Sequence, residues 1–152
     1  MKTLSHEACR AELIRRLGTL RPDSPRQWGR MSAHQMVCHV IDCFRMMSGE
    51  KAVSPATGVM QRTFVKWIAL YAPVRWPSGI LTRPEVDQYI SGTRPSEFAA
   101  DVATLASVIA NLQPRERGAG WPAHPIFGPM SERAWFRWAY LHTDHHLRQF
   151  GA

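Results

Sequence analysis

Three histidines fall within five residues in "LHTDHHLRQFG", His142, His145 and His146, out of seven in the whole chain. On a helix each residue advances about 100°, so residues four apart lie about 40° from alignment, one turn up. His142 and His146 therefore point the same way, with ring nitrogens able to converge on one ion. His142 and His145 stand three apart, the spacing that Glu-x-x-His ligand pairs use in helical bundles. Spacing alone leaves His145 and His146 in competition, with His146 closer to the His142 direction. Neutral imidazole suits borderline divalent cations.

A four-residue histidine pair also arises by chance on solvated helices, so its surroundings matter. The face that carries His142 also carries Trp135, Trp138 and Ala139, which are core residues by type. A buried imidazole must lose its charge and still find partners, and a cation supplies one partner for several rings. Upstream, in "HQMVCHVIDC", His39 borders an apolar stripe, one residue from Val40 and four from Cys43. Three neutral imidazoles from two facing helices would make a three-histidine site with a coordination position open to water or substrate.

The elements that must position these rings are helical. Ser5 opens and Gly18 closes a first helix, with Ala8, Ala11, Leu13, Ile14 and Leu17 near one stripe. "RPDSPRQWGRM" follows as a loop. Ser32 caps a second helix ending near Gly49, its buried face formed by Met36, Val40, Cys43, Phe44 and Met47. "GVMQRTFVKWIALYA" reads as a third helical piece stopped by Pro73. The proline- and glycine-rich stretch "PVRWPSGILTRPEVDQYISGTRP" is an irregular connection, of the kind that serves as a functional loop or lid. Thr93 or Ser96 opens the next helix, with Phe98, Val102, Leu105, Val108, Ile109 and Leu112 at helical spacing. After "QPRERGAGWPAHPIFGPM", Ser131 caps the last helix, which stops by Gly151. Residues 1–152 thus read as a single all-α domain, a bundle with long crossover loops.

Further candidates are weaker. His124 sits in the loop entering the last helix, where it lines the pocket mouth or packs between Pro122 and Pro125. Asp42, three residues after His39, is placed to orient an imidazole with its carboxylate or to face solvent. His34 reads as first-turn surface. Cys38 and Cys43 read as core thiols, and Trp67, Tyr71 and Trp76 as core aromatics.

Composition sets outer limits. The 152 residues are 45% apolar and 20% charged, ordinary for a globular chain. No apolar run approaches the ~20 residues that cross a bilayer, and the N-terminal stretch is too evenly charged for a secretory signal. Three cysteines without CxxC spacing fit a reducing, cytoplasmic setting. The net charge of +7 comes from scattered arginines that form no stripe, which points away from nucleic acid and toward a solvated basic surface, with an anionic small substrate as the second use.

"WGRMSAHQMVCHVIDCFRMMSG" resembles the second helix of the DinB/YfiT-like metal-binding four-helix bundles. "HPIFGPMSERAWFRWAYLHTDHHLRQFG" is similar to the final helix of a DinB-like subfamily of unassigned function, and "TRPEVDQYISGTRPSEFAADVATL" to its middle region. The resemblance implies a four-helix bundle of DinB/YfiT-like type, with a divalent metal, commonly zinc or nickel, on His39, His142 and His146. It also implies thiol-dependent chemistry on a small-molecule substrate: S-transfer with a low-molecular-weight thiol, or a related hydrolysis or isomerisation. A homodimer is a frequent assembly in that family. The alternative to an enzyme is a non-catalytic module stapled by its metal or sensing a ligand.

Overall fold

The computed structural model describes residues 1–116 and 119–152. Among them are five α-helices and no β-strand: α1 Glu7–Leu17, α2 Ala33–Ser48, α3 Lys66–Tyr71, α4 Phe98–Ala110 and α5 Glu132–Gln149. α1 and α2 each pack against both α4 and α5, and the short α3 lies on α5.

α2 is the inner helix. Ser32 accepts a hydrogen bond from the Gln35 amide while the Gln35 side chain accepts one from the Ser32 amide, a reciprocal cap worth on the order of 1 kcal/mol. Gly49 closes it at φ +87°, a left-handed conformation that costs glycine nothing. All five residues expected on its buried face are buried, and so are His39 and Asp42. Ser131 caps α5 by accepting from the Ala134 amide, and Trp135, Phe136, Trp138 and Tyr140 of α5 fill the core.

Several expected boundaries and faces differ. α1 starts at Glu7 behind His6, because the Ser5 hydroxyl bonds to Thr3 instead of capping. Ala8 and Ala11 face solvent, while Leu13 and Leu17 are buried. α4 is capped by neither Thr93 nor Ser96: the Glu97 carboxylate accepts from the Ala99 and Ala100 amides.

The third helical piece divides into a π-turn over Gln61–Val65 and α3. It ends at Ala72, held extended (ψ 145°) by the proline that follows. Trp67 (59% exposed) and Tyr71 are surface residues rather than core, because this segment is laid on the outside of α5. The connection after Pro73 holds one 3₁₀ turn, Pro84–Val86, which lies against α2.

Candidate metal centre

His39 on α2 and His142 and His146 on α5 meet where the two helices pack. One ring nitrogen of each lies within 4.8 Å of the others. The ring centroids are 5.2 Å apart for His39–His142, 4.8 Å for His39–His146 and 4.6 Å for His142–His146. His39 and His146 are buried and His142 is half-buried.

Two of the rings have one nitrogen already engaged. His39 donates Nδ1–H to the Val86 carbonyl at 2.7 Å. His146 donates Nδ1–H to Gln149 Oε1 at 2.9 Å. Each ring is thereby set in the tautomer whose Nε2 carries a lone pair, as a metal ligand requires. His142 is fixed by packing instead, stacked on Trp138 at 4.7 Å with 13° between the planes.

The supports reach further out. Gln149 Nε2 donates to the Trp28 carbonyl at 2.9 Å, so the amide cannot turn its oxygen away from His146. The backbone passes that close because residue 29 is glycine, at φ +76°, where an added Cβ would stand 2.6 Å from Gln149 Nε2. On the other side, Asp42 accepts from Gln88, from both the amide and hydroxyl of Thr93, and from Lys51. These bonds tie residues 84–93, and with them the Val86 carbonyl, to α2.

A family model described as "Protein of unknown function (DUF1569)" matches residues 2–152. The chain belongs to that family. No curated protein and no solved structure matches it significantly.

The electrostatics of the site in this DUF1569 chain favour uncharged rings. Burial pushes all three imidazoles below the ordinary range; for His142 and His146 it is reinforced by neighbouring rings that cannot all be charged at once. Neutral rings are the form that binds a cation, so the donor set fits a divalent metal. Burial alone would raise the pKa of Asp42, but Lys51 and Thr93 outweigh it and hold the carboxylate ionised.

The remaining candidates fall outside the triad. His145 points past it toward Trp28 and Trp76, at 5.5 and 6.1 Å between centroids, with its Nδ1 buried and unpaired in the described structure. The competition between His145 and His146 for the cluster thus goes to His146. His124 is buried, its Nδ1 accepting from the amides of Ile126 and Phe127 at 3.1 Å each and its ring 4.9 Å from that of Trp138; it staples the turn into α5. Asp42 is neither a surface residue nor bonded to His39: the backbone carbonyl of Val86 takes that place, and Asp42 acts on it one step removed.

Sequence reasoning did not find Gln149, Gly29 or Val86. An amide three residues after a candidate ligand is a readable hint for Gln149. A carbonyl arriving from 47 residues downstream leaves no mark in side-chain types. Cys43 sits closer to the histidine cluster than expected, its Sγ 3.7 Å from His39 Nε2, with burial raising the thiol pKa.

Proposed function

We propose that this chain is a metal-dependent enzyme of DinB/YfiT-like type, a four-helix bundle with long crossovers in which His39, His142 and His146 hold a divalent cation, zinc or nickel. The observation that carries the reading is the convergence of three neutral imidazoles, two of them with Nδ1 already committed to an acceptor. Fewer than four protein donors suit a site that works on a ligand better than one that only staples the fold. A cation held there supplies Lewis acidity, which makes a thiol or water nucleophilic near neutral pH.

The chain's own residues supply the rest. Trp76 stands 6.2 Å from the His142 ring and borders a cleft of about 260 Å³ lined also by Val74, Arg75, Leu141, Asp144 and Arg148. Arg75 gives that cleft a cationic edge beside the Arg148–Asp144 ion pair, while Trp76 and Leu141 give an apolar wall. This suits a small anionic molecule with an apolar portion, such as a low-molecular-weight thiol or its electrophilic partner. S-transfer, or a related hydrolysis or isomerisation, is the reaction class proposed. Free Cys9, Cys38 and Cys43 support a reducing, cytoplasmic setting.

Metal analysis of the purified protein tests this. Wild type should carry a divalent cation that His39→Ala/His142→Ala lacks, one equivalent fewer per chain, with its helical circular dichroism retained. An unchanged metal content in the double variant would remove the proposal. Chelation that strips the cation without unfolding the chain would separate the enzymatic reading from a metal staple.

A further inference from the structure

A second group of metal-type donors lies where α2 meets α4. His34 and Cys38, one turn apart on α2, face Asp101 in the first turn of α4, and their donor atoms all lie within 4.8 Å of one another. His34 Nε2 is 2.7 Å from Asp101 Oδ2, and Cys38 Sγ is 3.5 Å from the same oxygen. The Ser96 amide reaches that oxygen at 3.2 Å, and the Ser96 hydroxyl lies 3.4 Å from both carboxylate oxygens. The His34 ring is held edge-on by Phe98 at 5.3 Å.

A histidine–aspartate hydrogen bond between helices needs no further explanation. It does not account for a buried thiol directed at the same carboxylate oxygen. Imidazole, thiol and carboxylate are the three donor types of zinc sites, and they converge here from two helices.

We propose that His34 Nε2, Cys38 Sγ and the Asp101 carboxylate form a second cation site, selective for thiophilic divalent ions such as zinc, cadmium or cobalt over magnesium or calcium. Loading breaks the Cys38 S–H bond, releases the proton to solvent and forms a sulfur–metal bond. Thiolate and carboxylate together cancel the ion's two positive charges, so the loaded site is neutral, which suits its partial burial. The His34 and Asp101 side chains are about one-fifth exposed, leaving a path for the ion and room for a solvent ligand. The site would clamp α2 to α4 independently of the three-histidine centre.

Cobalt(II) added to the chelator-stripped protein distinguishes the two sites, because only thiolate ligation gives an intense near-ultraviolet charge-transfer band. The band should appear in wild type, persist in His39→Ala/His142→Ala and in Cys43→Ser, and vanish in Cys38→Ser. His34→Gln and Asp101→Asn should each weaken cobalt binding, read by the same band, by about tenfold or more. Absence of the band in wild type, its survival in Cys38→Ser, or its dependence on Cys43 would overturn the proposal. Should Cys38→Ser fail to fold, unchanged cobalt affinity in His34→Gln and Asp101→Asn would overturn it equally.

Discussion

At the residue scale, the histidine cluster depends on atoms that lie outside it. Gln149 has one role toward His146 and another toward Trp28, and losing it frees the His146 ring to turn. Partners of this kind typically contribute 10–100-fold to metal affinity. Gln149→Leu should therefore weaken zinc binding by about that factor, measured by competition with a chromophoric chelator. Gln149→Glu, which keeps an acceptor for Nδ1–H, should recover most of it. Gly29→Ala should move affinity the same way as Gln149→Leu, since its Cβ would displace the amide. The three converging histidines were legible: a four-residue spacing on an aromatic face, plus an upstream histidine beside an apolar stripe. Their supports were not, because a backbone carbonyl and a close chain crossing leave no periodic trace.

At the element scale, α2 and α5 followed from capping chemistry and apolar spacing, and both caps that matter, Ser32 and Ser131, form as expected. The errors fell where a side chain had a better partner nearby: Ser5 turned to Thr3, and Glu97 reached amides that Ser96 was expected to take. The connection through residues 73–95 was recognisable as irregular by composition, but its anchor on α2 is a tertiary fact. Asp42 is that anchor. Asp42→Asn strips a buried carboxylate of its charge opposite Lys51, a loss on the order of 3 kcal/mol. The variant should be cut faster within residues 73–97 in limited proteolysis and should bind metal more weakly, because the Val86 carbonyl is no longer held. Equal cleavage of variant and wild type would refute the anchoring role.

At the scale of the whole molecule, the buried imidazoles couple folding to acidity. His39, His142, His146 and His124 all have pKa values below that of an unfolded chain, His124 down to about 3. Below about pH 6.5 the unfolded chain takes up protons that the folded one refuses, so stability falls as pH falls. The slope is roughly 1.4 kcal/mol per pH unit for each such ring. Urea midpoints of metal-free protein should drop steeply between pH 6.5 and 5. His124→Asn, which keeps an acceptor for the turn amides, should flatten that fall by about one ring's share. The exterior carries a different burden. Between Glu50 and Glu85 there is no acidic residue, and Val59, Met60, Phe64, Trp67, Ile80 and Leu81 of that stretch are exposed, Leu81 by 90%. The molecules repel one another through their surplus of arginine, but that repulsion reaches only ~3 Å in 1 M salt. In brine the greasy flank is what two colliding copies feel, so the chain's colloidal behaviour is set by a stretch that contributes little to its core.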